Sequence, residues 1–186
     1  MPLKTLPGTT VELPRSTRSV RTLCSSLFAG GGLTLSQVSS LTELSPQLLQ
    51  NWVKRGFVPP PIERRYAQNQ FFRIAFINLF KDNLRIDVIV KLIDSTSADS
   101  SKRHDSVFDE TALYLYFVEA LILSDNNPDN LEAAVKTVLR PFHEPYQGVK
   151  KRLATAIKIM ILLYTSQQIK NSAGLLLCNL GIIDQC

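Results

Sequence analysis

The stretch LTLSQVSSLTELSPQLLQNWVKRGFVPPPIERRY, residues 33–66, decides how this chain is read. Leu35, Val38 and Leu41 recur at helical spacing behind a capping Thr34 or Ser36, which predicts a short helix. Ser45 caps a second, with Pro46 at its first position, where a missing N–H removes no helical hydrogen bond. That helix ends at Lys54 and Arg55 before Gly56, the expected order of cations in the last turn and then a residue tolerant of positive φ. Three consecutive prolines exclude a helix from Phe57 to Tyr66, so this segment is extended or turned and holds at most a short β-ribbon.

The second helix divides into two faces. Leu49, Trp52 and Val53 share one and anchor it to a core. Gln47, Gln50, Asn51 and Lys54 fall at i, i+3, i+4 and i+7 on the other. Amide and ammonium groups of this kind reach base edges and phosphates in a major groove. Arg64 and Arg65 close the proline arm, where a wing sets cations beside a nucleic-acid backbone. Two short helices joined by Thr42-Glu43-Leu44, followed by such an arm, read as a winged helix-turn-helix.

Working outward, a helix from about Gln68 to Asn83 is apolar nearly all round, the pattern of a central post buried on several sides. Another starts near Asp87. Ser95 to Ser106 holds five serines and almost nothing apolar, and reads as a linker. Behind it three helices are expected: one capped by Asp109 and running to Leu123, one from Asn127-Pro128 to Pro141, and one from Gly148 to Lys170. An apolar tail, Ala173 to Ile183, follows. Ahead of the motif, Gly30 to Gly32 set off a basic N-terminal extension with one short helix over residues 16–28. The expected organisation is an extension at 1–32, a winged domain at 33–94, a Ser-rich linker at 95–108 and a helical domain at 109–186.

Charge follows the same division. The chain carries a net +5; residues 1–94 hold 12 basic and 6 acidic side chains, and residues 95–186 hold 9 and 10. The excess sits on the half that carries the motif, which suits a polyanionic partner. No run reaches the roughly 18 apolar residues of a membrane helix. An odd count of three cysteines argues against a disulfide scaffold and fits a reducing cytoplasm. Enzymatic chemistry has little support. His104 lies in the serine linker and His143 beside Phe142, neither with a nucleophile or second ligand at useful spacing, and the glycine run lacks the Lys-Ser/Thr of a phosphate loop. No cofactor or metal is expected, and Cys178 and Cys186 read as simple thiols.

The residues from Leu33 to Tyr66 resemble the winged helix-turn-helix of the MerR superfamily. Leu41-Thr42, Ser45-Pro46, Leu49, Arg55-Gly56 and Pro59-Pro60 align with that pattern without a gap. More narrowly, Leu33-Thr34-Leu35-Ser36-Gln37-Val38, the run from Gln50 to Gly56, and Arg64-Arg65-Tyr66 are similar to a bacterial branch known as domain-of-unknown-function family 1836. The resemblance implies a mainly α protein, a MerR-like winged domain followed by an all-α domain, that regulates transcription by binding double-stranded DNA. Tyr66 matches the aromatic that ends the wing, and Arg64 the arginine that grips a phosphate. The residues expected at DNA are therefore Ser45, Gln47, Gln50, Asn51, Lys54, Arg55, Arg64, Arg65 and Tyr66.

Three departures limit the analogy. Gln50, Asn51 and Trp52 stand where typical members have Arg-Tyr-Tyr, Glu43 replaces a turn glycine, and the wing is shorter. The promoter-twisting mechanism of those members is not implied. The rival reading is a protein-interaction module that keeps the winged fold. The apolar end needs cover either from helices 109–140 of its own chain or from a homodimer through residues 148–183.

Overall fold

The computed structural model describes residues 3–13, 17–96, 109–125, 127–144 and 147–182. Its elements run α1 (Thr17–Leu27), β1 (Leu33–Thr34), α2 (Leu35–Thr42), α3 (Pro46–Lys54), β2 (Arg65–Tyr66), α4 (Gln68–Phe80), α5 (Ile86–Asp94), α6 (Glu110–Ser124), α7 (Leu131–Val138) and α8 (Val149–Asn179). The protein is mainly helical, with one two-stranded ribbon among the described residues.

Local chemistry explains the helix ends. The Thr34 hydroxyl accepts the Gln37 N–H at 3.3 Å, and the Gln37 side-chain oxygen accepts the Thr34 N–H at 2.8 Å, a reciprocal cap on α2. Glu43 stops that helix in the left-handed region at φ 56°. Ser45 caps α3 and Asp109 caps α6, in both cases by accepting the N–H three residues on.

α4 is the post around which the rest packs. Phe71, Phe72, Phe76 and Phe80 are fully buried; Phe72, Phe76 and Phe80 meet Tyr114 or Phe117 of α6, with the Phe72 and Tyr114 rings stacked at 4.3 Å. Buried residues from Leu6 to Ile161 form one hydrophobic cluster, so helices on both sides of the Ser-rich stretch share a core. The stretch itself, with His104, falls within 97–108, outside the described residues. Among the described residues, no helix is long and apolar enough to cross a membrane.

Several expectations need refinement. A bridge between Ile62 and Arg65 does lie within 57–66, but the two-stranded ribbon also draws on residues ahead of α2, where Leu33 and Thr34 pair antiparallel with Tyr66 and Arg65. Two-residue strands carry too little side-chain pattern to be seen in sequence.

The N-terminal extension is held against the helices. Residues 3–13 form a hairpin with a Thr5–Glu12 bridge, and Leu6 is wholly buried. The Thr10 N–H donates to Leu41 O at 2.8 Å, the Tyr114 hydroxyl to Pro7 O at 2.6 Å, and the Asn78 amide to Gly8 O and Thr42 O at 3.0 Å each. At its tip Gly8 has φ 77°, and a Cβ there would lie 2.2 Å from the Ala75 carbonyl oxygen, so no side chain fits. In α1, Arg21 makes a two-pronged ion pair with Glu119 of α6, which removes one of the extension's cations from any external partner.

The last helix runs on past Lys170 to Asn179 because the apolar tail simply continues it, Gly174 included. Its second half does not fold back over α6 and α7; from Ser166 onward no described residue is buried. Cys178, finally, is disulfide-bonded and not a thiol. Among the described residues Cys24 is a free cysteine, and burial pushes its thiol up to about 11.

Candidate nucleic-acid interface

α3 presents its two faces as the residue types dictate. Leu49 and Trp52 are 1% and 2% exposed, and Val53 is half-buried. Gln47, Gln50, Asn51 and Lys54 are all exposed, and among the described residues none of their side chains takes a hydrogen bond or an ion pair. Ser45, at the head of the helix, is exposed and its oxygen accepts the Leu48 N–H at 3.2 Å. Its hydroxyl proton therefore stays free to donate outward. The helix holds no acidic residue.

The arm after α3 is fixed by two buried polar side chains of α4. Gln70 donates to Pro59 O and Pro60 O at 3.1 and 2.7 Å and accepts the Ala67 N–H at 2.7 Å. The Arg73 Nε donates to Phe57 O at 2.7 Å. Its Nη1 reaches Asp94 at 2.9 Å and Glu110 at 2.8 Å, so one guanidinium joins the arm, the end of α5 and the start of α6. Burial alone would lower the Arg73 pKa, but hydrogen bonds and charge from Asp94 and Glu110 outweigh it and raise the value. Neither residue announced itself in sequence. Apart from Ala67, three residues before Gln70, their partners lie 10 to 37 residues away.

The wing ends in a two-residue turn. Ile62 and Arg65 exchange both backbone hydrogen bonds, at 3.0 and 2.8 Å, and between them Glu63 and Arg64 sit at φ 48° and 63°. That is a type I′ turn, which normally takes Asn-Gly. Two ordinary residues there cost about 1–2 kcal/mol each. Arg64 is held outward at the tip, exposed and without a described partner.

The other wing residues are more constrained. Arg65 is exposed but donates to Gly32 O at 3.0 Å, tying the wing to the residue ahead of β1. Arg55 lies over the Phe57 ring at 4.8 Å, a cation–π contact that fixes its direction. Tyr66 is 2% exposed, so its assignment as a DNA contact does not hold. In the two-residue strand Arg65 points out and Tyr66 in, the alternation any strand imposes. Tyr66 positions the wing from beneath.

The fold and this surface define a mainly helical protein carrying two capped short helices and a pinned, cation-tipped hairpin. Residues 28–117 match the family model described as Domain of unknown function (DUF1836), so the resemblance to that family holds from Phe28, just after α1, to Phe117 in α6. No curated protein and no solved structure matches the chain.

Proposed function

We propose that residues 33–94 work as a MerR-like winged helix-turn-helix that binds double-stranded DNA and regulates transcription, by binding and not by catalysis. α3 lies in the major groove, with Gln47, Gln50 and Asn51 at base edges, where amide side chains pair with adenine. Ser45, Lys54, Arg55 and Arg65 contact phosphates, and Arg64 does so from the wing tip. The observation that supports this most is the face of α3. Four polar side chains stay unpartnered on a helix whose other side is locked by Leu49 and Trp52. The strained turn under Arg64 supports it too, because backbone strain persists where a side chain has to be aimed.

The test is titration of the purified protein with labelled random duplex DNA across a salt series. Binding at low salt, lost as salt rises, is the expected result. Arg64→Ala should weaken binding to all sequences alike and reduce the salt slope by about one unit, whereas Gln50→Ala should relax preference at one base position. A folded protein that ignores duplex DNA at low salt overturns the reading and leaves the protein-interaction module in its place.

A further inference from the structure

A second cluster of cations lies far from α3 and the wing in sequence. Between α7 and the start of α8 is a cavity of about 550 Å³, within the range that small-molecule sites occupy. Val135 and Leu139, both buried, form its apolar floor with Ala154 beside them. Lys136 and Arg140 line it from α7 and the residues that end it, Lys150 and Lys151 from the first turn of α8. Among the described residues, none of these four side chains forms an ion pair or a hydrogen bond.

Two carboxylates share the lining, and both are committed. Glu132 pairs with Lys158, which balances its charge. Glu144 accepts the Lys150 N–H at 3.1 Å. The rim therefore keeps four positive charges against the single negative charge of Glu144. Such crowding works against the helix. A helix N-terminus carries partial positive charge and favours Asp or Glu, yet α8 opens Val149-Lys150-Lys151-Arg152 with no acid in its first turn. Cations massed at the unfavourable end of a helix, with two more across a cavity, break a local rule. Such breaches concentrate at functional sites.

We propose that this cavity binds a small organic phosphate, its dianionic head on the four cations and its apolar body on Val135 and Leu139. The excess of positive charge selects a dianion over a carboxylate. The floor is aliphatic and offers no polar group to a nucleobase edge, so the body is a hydrocarbon chain or a plain ring. A DNA duplex is too wide to enter a cavity of this size. Glu144 competes with the phosphate for the Lys150 N–H and is the group that the head displaces. The site does not rest on DNA binding.

Calorimetric titration of the full chain with benzyl phosphate tests this, with inorganic phosphate and benzyl alcohol as the two halves of the probe. Benzyl phosphate should bind one per chain, about tenfold or more tighter than inorganic phosphate, and benzyl alcohol should not bind. Arg140→Gln and Lys151→Gln, both at exposed positions, should each weaken it by about tenfold with unchanged circular dichroism. Glu144→Gln should tighten it severalfold. Absence of binding overturns the proposal, and so does equal affinity for benzyl and inorganic phosphate, which reduces the site to a charged surface. Binding that all three variants leave unchanged overturns it as well. Phenylacetate, a similar body with one charge, should bind more weakly; equal binding overturns the choice of phosphate. Arg64→Ala should change nothing, and a loss there would put the phosphate on the wing and overturn the site.

Discussion

The two ends of the described chain behave in opposite ways. Residues 3–13 are short on hydrophobic pattern, yet they are pinned into the core by backbone and side-chain hydrogen bonds to α2, α4 and α6. Residues 173–182 are strongly apolar, and none of them is buried. Hydrophobicity alone would have placed them the other way round. The difference teaches that burial depends on whether a segment has partners to pack against. The hairpin at residues 3–13 finds a slot between three helices that already share the Phe71–Phe117 core. The end of α8 has outrun that core, and the described residues supply no surface that covers its apolar face.

The sharpest way to break this comparison is to put a methyl group at the tightest point of the first end. Gly8→Ala demands a left-handed alanine and drives its Cβ into the Ala75 carbonyl. It should lower stability by roughly 3 kcal/mol, read as a fall in the urea midpoint. A loss below about half of that would mean the hairpin is free to lift away. Tyr114→Phe should come next. It deletes the hydroxyl that donates to Pro7 O at 2.6 Å inside the core, and should cost about 1–2 kcal/mol by leaving that carbonyl unsatisfied.

How far this was legible in sequence follows the range of the forces involved. α2 and α3 could be placed because their caps and stops, Thr34, Ser45-Pro46 and Gly56, act within a few residues. The exposed Gln47, Gln50, Asn51 and Lys54 followed from helical period alone. Tyr66 was misassigned because a two-residue strand shows no period, and its neighbour's exposure says nothing until the pairing with Leu33 is known. The roles of Gln70 and Arg73 were invisible because a polar side chain in an apolar helix looks like a solvent-facing break. Only the arm from Phe57 to Pro60, brought back by the fold, shows what they bind. Pro7-Gly8 is a turn signal that, set between Leu6 and Val11, could have revealed the hairpin. Its slot could not.

At the other end the same substitution should have the opposite sign. Gly174 lies within α8, and a Cβ there meets nothing within 4 Å. Gly174→Ala removes backbone freedom from the unfolded chain without a clash, and should stabilise the protein by about 0.5–1 kcal/mol. A loss of stability would mean that something in solution packs against position 174.

The smallest effect is the most informative about what the end of α8 is for. Leu176 is 64% exposed, so within one chain its removal gives up little buried surface. Leu176→Gln, measured at a protein concentration low enough to keep chains apart, should change stability by no more than about 0.5 kcal/mol, because surface substitutions away from caps and networks rarely exceed that. Raising the concentration is the decisive variable. If a second copy covers this end, the wild-type protein gains stability with concentration by mass action and the variant does not, so the two unfolding midpoints separate as protein is added. Midpoints that stay together at every concentration would put Leu176 in the same class as Val88 or Leu123, single exposed apolar side chains that call for no explanation.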